Sequence, residues 1–340
     1  MKTIGIIGNG KIGRSVASLL RAEQFTVIVA DSIDHTECVK IDATDKKQLI
    51  QFARDKDALV SCGPYFVNKT IAEVCAELNI AYFDPTEDTE VAEFVAKQKN
   101  TQTMMTQCGL APGAINIIAS NLIRQFDTVS KVKMRVGALP KYTSNAMSYY
   151  LTWSTSGLIN EYVNDCDIIS SGKHIKAQPL DGLESIMIDG NRYEAFNTSG
   201  GAASMCETFA DKVQTLSYKT IRYPGHHSSM KFLLDDLNLK HNKEKFIDLF
   251  DQEVPYTTED VIVVMASVSG MIKGKLVEKT YHKKIYGNNG LSAIQLSTAS
   301  GMCANIMLWA LGDLPAGYVK QEDIPYEKWI NTKFGKVYKK

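Results

Sequence analysis

A glycine-rich turn lies near the start of the chain, between an apolar segment and a helical pattern. The apolar residues 3–7 predict a strand, the spacing of residues 15–20 predicts a helix, and the sequence GNGKIG separates them. Gly8 permits a tight turn, Gly10 lets the backbone approach a phosphate, and Gly13 lets the helix pack closely on the strand. This order predicts that a dinucleotide pyrophosphate binds at the helix N-terminus. The predicted contacts from this turn are Gly8, Gly10, Lys11, Ile12 and Gly13.

An acidic residue follows the second predicted strand. That strand covers residues 26–30, and Asp31 comes directly after it, about twenty residues beyond the glycines. A carboxylate at this point would hydrogen-bond the hydroxyls of an adenosine ribose and would repel a 2′-phosphate. The sequence therefore predicts NAD as the cofactor in preference to NADP. The alternative is a glycine turn in an α/β domain that binds no cofactor.

The next part of the chain alternates predicted strands with predicted helices, which is typical of a parallel sheet. The predicted strands are residues 58–62, 81–84 and 103–108, and the predicted helices are residues 45–55, 68–79 and 90–99. This pattern predicts an α/β fold with a Rossmann-type, doubly wound parallel sheet that ends near residue 126.

From Val129 the pattern changes to that of an α+β region with an antiparallel or mixed sheet. The predicted strands are residues 131–136, 148–152, 185–188, 219–223, 261–267 and 275–281, and the predicted helices are residues 157–164, 205–216 and 228–237. Residues 170–176 and 241–245 are predicted to be exposed turns.

A chain of 340 residues exceeds the usual size of one compact core, so we predict two domains. A long apolar helix within residues 291–311 is expected to return to the first domain. The predicted dinucleotide-binding domain is therefore residues 1–126 plus 291–340, and residues 127–290 form an inserted α+β substrate-binding domain.

Composition narrows the class of partner. The 38 basic and 38 acidic residues cancel, which disfavours nucleic acid or an anionic membrane as a partner and favours a small molecule. No apolar run is long enough to span a bilayer, and no signal peptide precedes the first strand, so a cytoplasmic location is expected. The seven cysteines are scattered without a CxxC pair, which predicts reduced thiols and no metal site.

Ligands of open parallel sheets bind beyond the carboxyl ends of the strands, so the segments that follow each strand are candidate sites. Residues that follow a short third strand, which ends before Ile41, would lie near the adenine. Residues that follow the fourth strand, residues 58–62, would lie beside the nicotinamide half or simply form a rigid loop. Residues after the sixth strand begin a helix whose N–H groups could meet a cofactor amide or a substrate carboxylate. These candidates are Asp42, Ala43, Cys62, Gly63, Pro64, Leu110 and Ala111.

Asp84 ends the fifth predicted strand. Its carboxylate could bind a substrate ammonium at the same edge of the sheet. It could equally cap the helix that begins near Thr89.

The second region has a strand dense in polar residues that leads into a turn. With a period of two, Lys219 and Tyr223 share one face of the strand while Arg222 lies on the other. Arg222 is either a surface charge or a bidentate partner for a carboxylate. His226 and His227 follow at the turn, where one of them could act as an acid or base, the alternative being a solvated or capping histidine.

Several segments together resemble the saccharopine dehydrogenase superfamily, and most closely its lysine 6-dehydrogenase branch. The motifs that carry the resemblance are the glycine turn, SCGPYF at 61–66, CGLAPG at 108–113, LTWS at 151–154 with GLINEY at 157–162, TSGG at 198–201, and residues 218–226. The resemblance runs over nearly the whole chain. Saccharopine-forming reductases typically carry an acid where Ala111 stands here, which favours the lysine-oxidising branch.

The resemblance implies a Rossmann domain with an inserted substrate-binding and dimerisation domain, often in a homodimer. It also implies oxidation of a carbon–nitrogen bond in a lysine-derived amino acid with NAD or NADP. The substrate contacts that it suggests are Trp153, Glu161, Thr198, Ser199, Arg222 and Tyr223.

For L-lysine as the substrate, we assign Arg222 to the carboxylate and His226 or His227 to the proton transfers. Asp84 or Glu161 would bind the ammonium. The amine must lose a proton before hydride can leave the attached carbon. Since a free amine has a pKa near 10.4, the pocket must favour the neutral form through desolvation or a nearby cation such as Lys219.

Two other hypotheses stay open. A saccharopine-type or other opine dehydrogenase would need a second carboxylate site, with Lys219 or Arg192 as its cation. A non-catalytic nucleotide sensor would bind NAD but turn over no amino acid.

Overall fold

The computed structural model of the protein describes all 340 residues, and the chain divides into two compact units. The first unit consists of Met1–Ile117 and Gln295–Lys339, and the second consists of Ile118–Ile294 together with Lys340. The second unit therefore interrupts the first in sequence. The divisions follow Ile117 and Ile294, whereas the sequence analysis put them after residues 126 and 290.

The first unit contains a parallel sheet, which confirms the predicted fold class. Its strands are β1 Lys2–Ile7, β2 Phe25–Asp31, β3 Cys38–Lys40, β4 Ala58–Ser61, β5 Ala81–Phe83 and β6 Thr103–Met105. They lie in the order β6-β5-β4-β1-β2-β3, and a seventh strand, Gly317–Tyr318, pairs in parallel with the outer edge of β6. Sequence patterning missed this last strand because two residues are too few to show a period.

Helices follow the strands of this sheet. They are α1 Lys11–Arg21, α2 Lys46–Ala53, α3 Asn68–Leu78, α4 Thr89–Ala96 and α5 Ala114–Ile123, and later in the chain α10 Ala293–Ala310 and α11 Tyr326–Asn331. In α1, Gly13, Val16, Ala17 and Leu20 are buried, which is the spacing of one helix face. Asp45 and Asp88 cap α2 and α4 by accepting hydrogen bonds from backbone N–H groups in the first turn of each helix.

The second unit is built on a mixed sheet of eight strands. The strands are β7 Thr128–Pro140, β8 Cys166–Ser170, β9 Lys173–Ala177, β10 Glu184–Ile188, β11 Asn191–Asn197, β12 Val213–Arg222, β13 Asp260–Ile272 and β14 Lys275–Tyr286. The main order is β10-β11-β12-β7-β13-β14, and β8 pairs with both β12 and β9. Only β12 and β7 pair in parallel.

The helices of the second unit are α6 Thr155–Val163, α7 Met205–Phe209, α8 His226–Lys231 and α9 Lys243–Glu253. A π-helical turn, Phe232–Asp236, continues α8. Apolar side chains of α6, α8 and α9 form a core with Tyr149 and Phe196. A separate apolar cluster contains Ile221 of β12. None of the helices in the chain has both the length and the apolar character that crossing a bilayer requires.

Four predictions for the second region are wrong. Of the exposed turn predicted over residues 170–176, only Ser171 and Gly172 lie outside strands β8 and β9. Residues 148–152 are not a strand, because Ser148 has a φ of +49° and only Leu151 forms a bridge, to Tyr256. The helix predicted over 205–216 ends at Phe209, and Val213–Arg222 is instead a strand with neighbours on both sides. Helix α9 begins at Lys243, inside the predicted exposed turn, where Asn242 caps it.

Candidate functional site

The glycine turn after β1 is too tightly packed to accept side chains at two of its three glycines. Gly8 has a φ of +104°, and a Cβ on it would lie 2.7 Å from the backbone of Cys62. A Cβ on Gly13 would lie 1.9 Å from the carbonyl oxygen of Gly8. Both glycines are therefore required by the fold itself, because they bring β1, α1 and the end of β4 into close contact.

Gly10 differs from the other two glycines. It is the N-cap residue of α1, no side chain caps this helix, and a Cβ on Gly10 would meet nothing within 4 Å. Lys11 and Ile12 begin the helix. The start of a helix presents N–H groups and partial positive charge, so open space at Gly10 fits a phosphate that contacts the backbone.

Asp31 lies at the end of β2, beside this turn. Its carboxylate accepts hydrogen bonds from the backbone N–H of Asn9 at 2.6 Å and of Ile33 at 3.0 Å. Partial burial raises the pKa of Asp31, but the hydrogen bonds from Ile33 and Asn9 outweigh this and lower it below its usual value. Asp31 is therefore a fixed carboxylate at neutral pH, as contact with a ribose diol requires.

Asp42 and Ala43 follow β3 at the corresponding end of the sheet. The Asp42 carboxylate accepts hydrogen bonds from the N–H and the hydroxyl of Thr44, at 2.8 and 2.7 Å, and these lower its pKa. The side chain of Asp42 thus stabilises its own turn. Any contact with a nucleotide here would come from the backbone of this turn or from Ala43.

Cys62, Gly63 and Pro64 follow β4. The backbone N–H of Cys62 donates to the Ile7 carbonyl at 2.7 Å, which fixes this segment against the glycine turn. Burial, reinforced by the charge of Asp84, raises the pKa of the Cys62 thiol to about 12, so the thiol stays protonated.

Asp84 ends β5 and is fully buried. One carboxylate oxygen accepts a hydrogen bond from Thr86 N–H at 2.8 Å, whereas the other, Oδ2, makes no well-formed hydrogen bond. Burial raises the pKa of Asp84 to about 7. The helix cap that the sequence left as an alternative for Asp84 is supplied by Asp88, which accepts from Val91 N–H at 2.8 Å.

The turn after β6 lies against Asp84. The thiol of Cys108 donates to the Asp84 carbonyl at 3.0 Å, and the backbone N–H of Cys108 donates to the same oxygen at 3.0 Å. Leu110 is buried and Ala111 is partly exposed just beyond this contact. The structure therefore brings together the predicted residues that follow β4, β5 and β6 at one edge of the sheet.

Arg222, at the end of β12, is buried in the second unit with 2% of its surface exposed. Its Nε donates to the Tyr162 hydroxyl at 2.8 Å, and Nη1 donates to the Ile221 carbonyl at 2.9 Å. The guanidinium lies over the ring of Tyr149, with 5.4 Å from Cζ to the ring centroid. These two bonds use Nε and Nη1, so Nη2 is the guanidinium nitrogen left for a ligand.

His226 completes a chain of hydrogen bonds behind Arg222. Its Nε2 lies 3.0 Å from the Tyr162 hydroxyl, and its Nδ1 lies 3.2 Å from the Met147 carbonyl. The Tyr162 oxygen accepts from Arg222, so its O–H donates to Nε2, while Nδ1–H donates to Met147. Burial, and then the charge of Arg222, lowers the pKa of His226 to about 3. His226 is neutral and has both ring nitrogens occupied, so we revise its predicted role in proton transfer to one of positioning Tyr162.

The other residues predicted on this strand point away from Arg222. Lys219 donates to the Gly182 carbonyl and lies 3.4 Å from a carboxylate oxygen of Glu184. Burial and the charge of Arg135 lower the pKa of Lys219. The alternation of a strand places Lys219 on the face opposite Arg222, so it does not share a site with that residue, and its predicted role there is withdrawn.

Tyr223 and His227 are also committed to protein contacts. The Tyr223 hydroxyl donates to the Pro140 carbonyl at 2.9 Å, and the ring stacks on Tyr193 with 5.7 Å between centroids. His227 Nε2 lies 2.7 Å from the Leu180 carbonyl.

Predicted substrate residues from three other segments lie in the second unit. The charge of Glu161, which is in α6, acts on Arg222 and contributes to raising the pKa of Tyr149 and Tyr162. The N–H of Ser199 donates to the Glu161 carbonyl at 3.0 Å.

Two other predicted substrate residues have buried donors. The Thr198 hydroxyl and the Trp153 indole nitrogen make no well-formed hydrogen bond. We refer to Arg222, Tyr149, Tyr162 and His226 as the Arg222 cluster. Glu161 is associated with it because its charge acts on Arg222, and Trp153 because it acts on Tyr149.

Two residues of this cluster, Tyr149 and Tyr162, are not among the predicted site residues. Tyr162 belongs to the quoted GLINEY segment, where its place four residues after Leu158 on a buried helix face was the available signal. Tyr149 fell in a segment that was wrongly predicted as a strand. Nowhere in the chain do three or more His, Cys, Asp or Glu side chains form a group that could hold a metal ion.

Family models match the two parts of the chain separately. The model described as the saccharopine dehydrogenase NADP binding domain matches residues 4–109. The model described as the saccharopine dehydrogenase C-terminal domain matches residues 109–332. Together they cover the glycine turn, Asp31 and the Arg222 cluster.

Solved structures with the same fold include saccharopine dehydrogenase (L-Glu forming) from Saccharomyces cerevisiae. That structure has a TM-score of 0.77 and 15% identity, over 95% of this chain and 94% of the other. A homospermidine synthase from Legionella pneumophila in complex with NAD has a TM-score of 0.71 and 13% identity, over 99% and 89% of the two chains. At these identities the likeness shows the fold alone.

An α-aminoadipic semialdehyde synthase from Arabidopsis thaliana is 25% identical over 154 residues. The match covers 42% of this chain and 14% of that protein. The chain therefore corresponds to a small part of this relative.

Proposed function

The chain belongs to the saccharopine dehydrogenase family of NAD(P)-binding oxidoreductases, and from this premise we propose that it oxidises the carbon–nitrogen bond of a lysine-type amino acid. The proposed reaction is oxidative deamination of L-lysine at its side-chain amine, in which lysine, NAD and water give a semialdehyde, ammonia, NADH and a proton. The observation that carries this proposal is the buried Arg222 guanidinium with an uncommitted Nη2.

A buried arginine is costly unless a partner offsets its desolvation. Besides the nearby charge of Glu161, Arg222 has two neutral oxygen partners, those of Tyr162 and Ile221, and two aromatic rings. These contacts leave the planar fork half used. A carboxylate is the group that best completes it, because it accepts hydrogen bonds and carries the opposite charge.

The charge of Glu161 near this cluster favours an amino acid over a simple carboxylic acid. A substrate with an ammonium and a carboxylate meets one group of each sign in Glu161 and Arg222. Both side chains are buried, so their attraction for a ligand is screened less by solvent than it would be at the surface.

The residues of the first unit fit a nicotinamide dinucleotide. Gly10 offers backbone without a side chain at the start of α1, and Asp31 offers an ionised carboxylate for a ribose. Asp31 would also repel a 2′-phosphate, which favours NAD over NADP in our proposal. When bound, the nicotinamide supplies the hydride acceptor.

Asp84 is the group that we propose for proton transfer. Its carboxylate is buried, keeps one oxygen without a well-formed hydrogen bond, and has a pKa of about 7. A group that titrates near the working pH exchanges a proton most effectively. His226 is unsuited to this role because its nitrogens are occupied and its pKa is about 3.

Reductive amination of the saccharopine or another opine type is the second candidate. It needs a buried cation for a second carboxylate, and Lys219 is bonded to Gly182 and Glu184 while Arg192 is an exposed side chain. We therefore favour lysine oxidation. A homospermidine-forming activity, suggested by one neighbour of the same fold, would act on amines without a carboxylate and would leave Arg222 unused.

The homodimeric state and a cytoplasmic location are further proposals, based on the family resemblance. Seven free cysteines suit a reducing compartment. Light scattering on the purified chain tests the dimer: a monomer at working concentration would contradict it.

The deciding experiment follows reduction of NAD and NADP with L-lysine, L-ornithine and saccharopine, and the reverse reactions with keto acids and amines. We expect turnover with lysine and NAD. Arg222→Lys should raise KM for lysine by about a hundredfold, because an ammonium group lacks the planar array of N–H donors with which a guanidinium binds a carboxylate. Arg54→Lys, at an exposed position, is the matched control.

An unchanged KM in Arg222→Lys would refute the carboxylate assignment. Turnover only with saccharopine would favour the second candidate. Binding of NAD without any turnover would leave the nucleotide-sensor hypothesis. Thermal unfolding of each variant excludes a general loss of fold.

A further inference from the structure

We propose that Tyr149 binds the substrate carboxylate together with Arg222, by donating a hydrogen bond from its phenolic hydroxyl. The inference rests on the proposed function in that it needs a substrate with a carboxylate, but it holds for lysine and for saccharopine alike. It makes Tyr149 a residue that selects amino acids against the corresponding plain amines.

Tyr149 has no exposed surface and is packed between two members of the cluster. Its ring centroid lies 5.4 Å from Cζ of Arg222 and 4.8 Å from the ring centroid of His226. Despite this burial, the hydroxyl makes no well-formed hydrogen bond within the protein. Buried hydroxyls almost always have a partner, and one without a partner is destabilising, so a missing partner points to a ligand.

The unused group on Tyr149 is a donor. The nearby Trp153 indole N–H can only donate, so it leaves the Tyr149 proton unused, and its effect on the pKa of Tyr149 is smaller than those of burial, Arg222 and Glu161. Burial keeps the pKa of Tyr149 above its usual value, so the phenol retains its proton. The Tyr149 O–H and Nη2 of Arg222 are both donors, which a carboxylate satisfies and an ammonium does not, and the charge of Glu161 acts on both residues from nearby.

The backbone around Tyr149 is held firmly, although it is not a strand. The Asn145 side chain accepts from the N–H of Tyr149 at 3.1 Å and donates to its carbonyl at 2.7 Å. Two residues before Tyr149, the Met147 carbonyl accepts from Nδ1–H of His226 at 3.2 Å. These contacts fix Tyr149 before a ligand binds, so little conformational entropy is lost when it makes the proposed hydrogen bond.

Tyr162 provides a matched control, because it is a second buried tyrosine beside the same arginine. Its ring centroid is 5.8 Å from Cζ of Arg222, but its hydroxyl is fully used between Arg222 and His226. Tyr149→Phe and Tyr162→Phe are therefore the same chemical change. The first removes a hydroxyl without a hydrogen-bond partner in the protein, and the second removes a hydroxyl that has two.

The experiment measures binding as well as turnover, so that it stands even if lysine is not the substrate. Calorimetry is done with L-lysine, saccharopine and glutarate, and with cadaverine, which lacks the carboxylate of lysine. Tyr149→Phe should weaken binding of the carboxylates about tenfold, leave cadaverine unchanged, and not lower the melting temperature. Where lysine is turned over, KM should rise about tenfold while kcat is retained.

Tyr162→Phe should instead lower the melting temperature. Equal carboxylate affinities in the wild type and Tyr149→Phe would overturn the inference, as would a wild type that binds no carboxylate more tightly than cadaverine. A lower melting temperature in Tyr149→Phe, with unchanged carboxylate binding, would show that the hydroxyl is structural. Absence of turnover together with the expected binding pattern would refute the proposed reaction and leave the role of Tyr149 intact.

Discussion

The Tyr162 hydroxyl accepts a 2.8 Å hydrogen bond from Nε of Arg222, and both side chains have less than 3% of their surface exposed. This bond holds the guanidinium at Nε, a second bond to the Ile221 carbonyl holds it at Nη1, and Nη2 is the nitrogen left for a ligand. It also fixes the tautomer of His226, because the Tyr162 proton has no other acceptor as close as Nε2.

Tyr162→Phe should destabilise the protein by about 1–3 kcal/mol, because it leaves a buried guanidinium N–H and a buried imidazole nitrogen without partners. Urea denaturation at neutral pH measures the free energy of unfolding. A change within about 0.5 kcal/mol of the wild type would mean that the Arg222–Tyr162 bond contributes little.

Asp31→Asn should weaken NAD binding and improve binding of NADP relative to NAD by about tenfold. The amide can still accept a hydrogen bond from Asn9, but it no longer carries the charge that repels a 2′-phosphate. Titration of each dinucleotide by calorimetry gives the ratio of dissociation constants.

Asp42→Asn is the control for this prediction, because its carboxylate is occupied by Thr44 in an exposed turn. If Asp42→Asn changed the ratio of the NAD and NADP dissociation constants as much as Asp31→Asn does, the preference for NAD would come from general surface charge. No shift in either variant would contradict the assignment of Asp31 to the ribose.

Much of the first unit could be predicted from sequence, because each of its signals is local. A glycine with positive φ at Gly8, a buried strand such as β4 and an amphipathic helix such as α1 each depend on residues close in the chain. The edge strand Gly317–Tyr318 could not be predicted, since it pairs with a strand more than two hundred residues away.

The second unit was predicted less well because pairing between distant segments overrides local preference there. Val213–Arg222 was partly predicted as a helix but is a strand, since β7, β8 and β11 all pair with it. Alternation along this strand correctly separated Arg222 from Lys219. It could not show that Tyr149 would pack on Arg222, because that contact depends on a loop held by Asn145 and His226.

Gly13→Ala should lower the stability of the protein, whereas Gly10→Ala should lower its affinity for NAD. A Cβ on Gly13 would lie 1.9 Å from a backbone oxygen, so the turn must move and the melting temperature should fall by several degrees. A Cβ on Gly10 meets nothing within 4 Å, so stability should hold while affinity for NAD falls at least tenfold. Thermal unfolding without ligand and NAD titration separate the two. Unchanged NAD affinity in Gly10→Ala would argue against a pyrophosphate at this turn.

His226→Gln should flatten the acid side of the stability profile. The pKa of His226 is about 3 in the folded protein and about 6.5 in the unfolded chain, so only the unfolded chain takes up this proton between those values. The contribution of the neutral histidine to the free energy of unfolding is fully present above about pH 6.5. It is lost as the pH falls toward 3, by at most about 1.4 kcal/mol per pH unit. Glutamine does not titrate. Parallel wild-type and variant profiles between pH 6 and 4 would mean that His226 becomes protonated in the folded state.

Asp84→Asn should gain stability relative to the wild type as the pH rises. The carboxyl group has a pKa of about 7 when folded and about 4 when unfolded, so between those values the folded protein keeps a proton that the unfolded chain has released. The wild type therefore loses stability from about pH 4 to pH 7, by at most about 1.4 kcal/mol per pH unit, while the asparagine variant does not.

The same substitution tests the proposed proton transfer. In the wild type, log kcat/KM for the amino acid should inflect near pH 7, and Asp84→Asn should lose both the inflection and most of the rate. Urea denaturation at pH 5, 6, 7 and 8 and initial rates over the same range give both readouts. A stability difference that is constant over this range would mean that Asp84 has an ordinary pKa, and a retained inflection in the variant would assign the proton transfer to another residue.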